Sequence, residues 1–513
     1  MNAISYLRRP VVALAVFLAV HTVIWTLVPV LVHTGMPMDV VEGYAIGREW
    51  VVGTFKHPAM PSWLLEVLRY LTGAVGWPAY FLSSVCVVAT YIVVFLLGRD
   101  LAGEKRGAAG ALLLSGVLYF SWVSPEFNHN VLQMPFWAGA VLSLWRARET
   151  GGNHWWALLG ALAAGGIYAK VSMVVLLFVV TAYILLDRKC RSQLSVRGPW
   201  IALGVFLLLI TPLINWLVET NFLLLDYAEA RATRGRAGGV LLFLWKQVAS
   251  STGLLLLLVL AAIQWMPFRS GTAPARYLAG PSGLPAAAIS AEAGRFVRYF
   301  FWAPIAFTVV SAAITGVGLK GAWGTSMLSL AGLTALVAAD RWRVPLALPR
   351  IAAGAFVLLA IIPAAYAASV SLSDRFSKSP PRVAWPQAAI GARLQQIWRE
   401  RTGQPLRVVA GDLWIAGMVA ATASDRPSML IDSELTHSPW IDRATLEAKG
   451  VLVVWWRQPT DPKLEFPHVR VLGVDGTEVF HINFGRQGRN MSVYYAIVPP
   501  GTKLKLGNLE RRR

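Results

Sequence analysis

The stretch that decides the fold is VVALAVFLAVHTVIWTLVPVLV, Val11 to Val32, with Arg8 and Arg9 just before it. A bilayer core is crossed by about 20 consecutive apolar residues in a helix. This run is long enough, exceeds a signal-peptide core and lacks an obvious cleavage site, so it reads as a retained signal anchor. Ten similar stretches follow, at roughly 78–98, 108–123, 131–147, 155–169, 171–186, 200–217, 239–266, 297–316, 322–338 and 350–370. The pair at 155–186 is long for one helix and short for two. The division is set at the Gly165-Gly166 to Lys170 stretch, which suits a tight turn or a broken helix.

Composition agrees with eleven spans. Of 513 residues, 56% are hydrophobic and 14% charged, and the mean hydropathy is +0.53. A soluble domain carries about a quarter charged residues. The formal net charge of +20 lies largely in short loops between apolar runs, where it sets topology rather than forming a nucleic-acid surface. With the loops assigned alternately from a cytoplasmic N-terminus, the inner loops hold eighteen Lys and Arg and the outer loops eight. An odd number of spans then places the chain after Val370 outside the cytoplasm. There are two cysteines, Cys86 in an apolar run and Cys190 in a basic loop, a pattern that argues against a disulfide and against a Cys-based metal site.

From about residue 371 the long apolar runs stop. Short β-rich runs appear at 407–411, 451–456 and 492–498. Between Pro386 and Thr402, Ile390, Leu394 and Ile397 share a helical face. The expected architecture is a polytopic α-helical membrane unit, residues 1–370 with an outer loop at 33–77, followed by a soluble α/β domain at 371–513.

The polar residues with chemistry to offer cluster in the outer loops. The first reads Met38-Asp39-Val-Val-Glu42, then Gly53-Thr-Phe55-Lys56-His57-Pro58. Carboxylates at i and i+3 share a helix face. Asp39 at the membrane surface suits a general base, and Glu42 suits a shaping or metal-binding role. The competing reading is a pair of solvated loop carboxylates. Lys56 and His57 suit a phosphate; the plainer alternative is a turn fixed by Pro58 with Lys56 snorkelling. Farther on come Asn128 and His129 in Ser124-Pro-Glu126-Phe-Asn-His129, then Lys170, Arg231, Arg234 and Lys320. Each one singly fits a capping or topology role, but together they supply what an outer-face site requires. No Gly-x4-Gly-Lys-[Ser/Thr] run is present.

These segments resemble the GT-C superfamily of polytopic glycosyltransferases, on the branch of the bacterial lipid A aminoarabinose transferases and the protein O-mannosyltransferase-related enzymes. The resemblance rests on Asp39-x-x-Glu42 and Gly53-x-Phe55-x-His57-Pro58. Pro125-x-Phe127-Asn128, Gly166-Ile-Tyr-Ala-Lys170, Pro212-x-x-x-Trp216 and Lys320-x-x-Trp323 support it. It implies inverting transfer from a polyprenyl-phosphate sugar to lipopolysaccharide, another glycolipid or a protein, with Asp39 as the acidic residue. It further implies a bacterial inner membrane, a periplasmic active face and no nucleic-acid partner. Lys56, His57, Arg231, Arg234 and Lys320 are the expected phosphate ligands. Asn128, His129 and Lys170 are further candidates, and a divalent ion at Glu42 and His57 is left open. Relatives often read His-Pro-Pro-Leu where this chain has His57-Pro58-Ala59-Met60. The alternative function is a lipid or glycolipid flippase, although no internal repeat of transporter type is evident.

Overall fold

The computed structural model describes residues 10–224, 239–263, 289–373, 381–456, 477–484 and 489–504. The first described helix, α1 (Pro10–Val32), is almost wholly apolar and carries Pro29 within it. Two short helices occupy the outer loop, α2 (Met38–Gly47) and α3 (Met60–Thr72). α3 begins with Pro61 in its first turn and stops at Gly73, whose φ of 68° is the left-handed conformation that ends many helices. There follow α4 (Trp77–Ala102), α5 (Glu104–Leu113), α6 (His129–Thr150), α7 (Asn153–Ala169), α8 (Met173–Leu186), the short α9 (Arg188–Ser192) and α10 (Arg197–Glu219). Then come α11 (Gly239–Ser250), α12 (Thr252–Ala262), α13 (Ala291–Thr315), α14 (Ala331–Arg341) and α15 (Leu348–Ser371).

Among the described residues, α1, α4, α10, α13 and α15 are each long and apolar enough to cross a membrane. α11 and α12, bent by 45° at their junction, make a sixth candidate. The other expected spans are also helical: α6 has the length but is less apolar, and the rest are shorter or interrupted. The stretch expected at 108–123 leaves α-helix after Leu113 and continues as two 3₁₀ turns. Its Gly116 meets the backbone of Gly253 and Leu254, beside the bend between α11 and α12. A Cβ on Gly116 would lie 2.2 Å from the Leu254 nitrogen, so two backbones cross here at a distance only glycine allows. The break at 155–186 falls at Lys170, whose backbone is extended, while Gly165 and Gly166 stay inside α7 against Phe136 and Met173.

The C-terminal elements are α16 (Gln387–Thr402), β1 (Val408–Gly411), α17 (Ile415–Thr422), β2 (Ser428–Ile431), α18 (Arg443–Lys449), β3 (Val451–Trp456), β4 (Glu478–Phe484) and β5 (Arg489–Val498). The strands form one sheet in the order β2-β1-β3-β5-β4. β2, β1 and β3 are parallel, and β5 and β4 join antiparallel. β1 and β3 are buried almost throughout, as their unbroken apolar runs require of strands covered on both faces. One helix of this unit, α17, packs directly on α2, bringing the sheet unit against the first outer loop.

Candidate active site

Asp39 sits in the first turn of α2, where a carboxylate favours the positive end of the helix dipole. The backbone N–H of Asp39 is one of the donors that a helix start leaves without an internal partner. It points at Glu126 Oε1, 3.4 Å away. Asn128 caps α6, its Oδ1 accepting from the N–H groups of Asn130 (2.9 Å) and Val131 (3.2 Å). Its amide nitrogen is thereby free to donate to the Asp39 carboxylate, to which the side chain is hydrogen-bonded. Burial pushes the Asp39 carboxyl up; Lys56, the Asn128 hydrogen bond, Arg382 and Lys170 pull it back. Burial, with the Asp39 charge adding to it, pushes Glu126 up to about 7. Two adjoining carboxyls so placed titrate together, the charge on one making the other harder to ionise.

One turn along α2, Glu42 is buried and accepts from Lys56 Nζ with both oxygens, at 3.2 and 3.3 Å. Burial pushes the Glu42 carboxyl up, and the Lys56 charge opposes this. Lys56 and His57 lie on a tight loop. Gly53 bridges Pro58, Thr54 N–H donates to the His57 carbonyl (2.8 Å), and the Thr54 hydroxyl accepts from the N–H groups of Lys56 and His57. Gly53 lies under the ring of Trp216, where a Cβ would come within 2.8 Å of the indole. The His57 and His129 rings are 4.2 Å apart, centroid to centroid, and His129 bonds the Pro58 carbonyl.

Lys170 is 8% exposed. Its Nζ donates to Asn130 Oδ1 at 2.6 Å and lies 5.8 Å from the centroid of the Trp323 ring. Burial lowers the Lys170 ammonium to about 8, and the Asp39 charge works against that shift. The non-helical turn that presents it is held by Gln133, whose amide donates to the Lys170 carbonyl and whose Oε1 accepts from Ser172 and Ser326.

The structure therefore gathers Asp39, Glu42, Lys56, His57, Asn128, His129 and Lys170 in one region. Lys320 is exposed, and it is Trp323, three residues on, that meets Lys170. Arg231 and Arg234 lie outside the described residues. The pairing expected of Glu42 and His57 with a metal does not fit this arrangement. Lys56 engages both Glu42 oxygens, and among the described residues no three His, Cys, Asp or Glu side chains converge on one point. Three participants were given no role from sequence: Glu126 and Asn130, which stand in the polar loop before α6, and Arg382. Glu126 carried a legible signal, a second acid in the outer loop just before the Asn128 cap. Arg382 carried none, because its proximity to Asp39 comes from the return of the chain after α15.

Comparison with known proteins adds a resemblance. Residues 56–216 match the family described as dolichyl-phosphate-mannose-protein mannosyltransferase. Curated protein sequences give no match. Among solved structures, ArnT from Cupriavidus metallidurans bound to undecaprenyl phosphate is similar over 94% of this chain and 97% of its own, with a TM-score of 0.62 and 14% identity. Its apo state is similar over the same shares, with a TM-score of 0.59 and 12% identity. Residues 56–216 thus resemble that mannosyltransferase family, and nearly the whole chain shares its fold with ArnT, a likeness of fold at 14% identity.

Proposed function

We propose that the chain transfers a sugar from a polyprenyl-phosphate donor to a hydroxyl or amine of lipopolysaccharide, another glycolipid or a protein, with inversion at the anomeric carbon. The observation that carries this reading is the setting of Asp39: a buried carboxylate oriented by Asn128, with the cations Lys56, Lys170 and Arg382 around it. Burial makes such a carboxylate a stronger base than one in water. As the acceptor attacks the anomeric carbon, Asp39 takes its proton, the bond from that carbon to the phosphate oxygen breaks, and the phosphate leaves carrying the bonding pair. Single displacement inverts the centre. Fixed positive charges stabilise the oxygen on which negative charge develops. Lys170 is suited to that task, since an ammonium titrating near 8 is still charged at neutral pH. Glu42 holds Lys56 in place, and Lys320, with Arg231 and Arg234, remains a candidate for the phosphate or the lipid headgroup.

In this reading residues 1–370 are the catalytic membrane unit with eleven spans, and 371–513 form a periplasmic α/β domain of a bacterial inner-membrane protein. The backbone N–H groups of Thr34 and Gly35, just beyond α1, both donate to the Val383 carbonyl beyond α15. These bonds support a common side for the ends of the first and last spans, as the proposed odd number of spans requires.

The test is transfer of radiolabel from a panel of polyprenyl-phosphate sugars by purified protein, with native membrane extract as acceptor, beside Asp39→Asn. Label moved by wild type and not by the variant supports both the class and the base. Movement of labelled lipid across liposomes without any transfer would replace this reading by a flippase.

A further inference from the structure

The helix that carries Asp39 and Glu42 has little of its own to hold it. α2 is ten residues long and has no side-chain cap, and a helix that short is unstable by itself in water. One side packs on α3, where Gly43 and Gly47 let Leu65 and the Ser62 carbonyl come close. The opposite side is covered by α17 of the sheet unit, with Gly417 against Val41.

Both ends of α2 are also gripped from that unit. Before it, the Gln387 amide accepts from the Met36 N–H (2.8 Å) and donates to the Met36 carbonyl (2.7 Å). After it, the Ser428 hydroxyl donates to Glu49 at 2.8 Å. Between them stands Arg426. Its guanidinium meets Glu66 of α3 through two bonds, of 2.9 and 3.0 Å, and donates to the Tyr44 carbonyl of α2 at 3.2 Å. Arg426 has a φ of 48°, a left-handed conformation that a residue with a Cβ adopts only where its surroundings enforce it. Glu66 is also bound by Arg69, which donates to both of its oxygens. Removing Arg426 therefore cuts the link to α2 without leaving a buried carboxylate unpaired.

From this we infer that Arg426 is a positioning residue, clamping α2 to α3 from the sheet unit and so fixing where Asp39 stands. The inference rests on the reading of Asp39 as the base. It makes the C-terminal unit a splint for the catalytic helix in addition to any role in acceptor binding. Misplacing a reacting group by about 1 Å lowers a rate by about a hundredfold, so a partial loosening should lower kcat by about tenfold.

The experiment uses the full-length protein in lipid nanodiscs, with Arg426→Ala, Arg426→Lys and Gln387→Leu beside wild type. Backbone hydrogen exchange over residues 38–47 and 78–102 is read by mass spectrometry, together with kcat and donor KM. We expect exchange at 38–47 to speed up by about tenfold in Arg426→Ala while 78–102 is unchanged. We expect kcat to fall by a similar factor with donor KM within about twofold, and Arg426→Lys to recover part of both. Gln387→Leu, which loosens the other end of α2, should act in the same direction, and it carries the test if Arg426→Ala does not fold. Unchanged exchange at 38–47, or a loss confined to KM, overturns the inference. A wild type that transfers no sugar would end the proposed function, whereas the exchange data would still decide whether Arg426 holds α2.

Discussion

Asp39 and Glu126 form an unusual pair at residue scale, because the Asp39 charge raises Glu126's hold on a proton in a site that burial has already made costly for charge. On the proposed mechanism the base works only when deprotonated, so kcat/KM should rise with pH across an acid limb set by this pair. In Glu126→Gln the neighbouring negative charge is gone and Asp39 releases its proton more readily. The acid limb should then move to lower pH, which a pH profile of the variant would show; an unmoved limb would separate Glu126 from the base. Asp39→Asn should lower transfer by about a thousandfold or more, at the upper part of the range for a positioned base. Lys170 acts on the other limb. It is charged below about 8 and neutral above, so activity should decline above that pH. Lys170→Met should remove this alkaline limb and lower kcat/KM by about tenfold to a hundredfold, the loss expected for one charge-assisted hydrogen bond.

Elements explain which of these features the sequence could display. The apolar runs show themselves in any window, and α1, α4, α10 and α15 lie where hydropathy places them. The i, i+3 spacing of Asp39 and Glu42 proved to be a turn of real helix, α2, although the two acids serve different partners: Asn128 for one and Lys56 for the other. What hydropathy does not encode is a backbone crossing such as Gly116 on Gly253, which breaks two expected spans. Nor does it encode Arg382, whose field reaches Asp39 across more than 340 residues of chain. The turn at 53–58 shows how separate motifs become one element of the site. Gly53 accommodates Trp216 only because it lacks a Cβ. Gly53→Ala should force the loop off the indole at a cost of about 1–3 kcal/mol, the usual range for overpacking. That shift would move Lys56 and His57 and lower kcat by about tenfold. The double variant Gly53→Ala/Trp216→Leu should regain much of the rate, and failure to do so would show that the glycine serves something other than this contact.

At the scale of the whole molecule, the proposed transfer depends on one orientation, because on that proposal a lipid-linked sugar and its acceptor meet on the face where Asp39 lies. The charge bias of the loops and the shared side of the α1 and α15 ends point the same way, and the two native cysteines make the matter simple to decide. Cys86 and Cys190 are both buried, so the unmodified protein should react little with a thiol reagent. Lys449 at the end of α18 and Lys105 at the start of α5 are exposed, and they belong to opposite sides in the eleven-span reading. In intact bacterial cells with a permeable outer membrane, Lys449→Cys should be labelled by a maleimide that cannot cross the inner membrane. Lys105→Cys should be labelled only after that membrane is opened. The reverse pattern would put Asp39 in the cytoplasm, where nucleotide-activated sugars are at hand, and would remove the reason for a polyprenyl-phosphate donor. Labelling of both from outside would mean that an even number of spans separates them, and the parity of the interrupted segments at α5 and at α11–α12 would have to be redrawn.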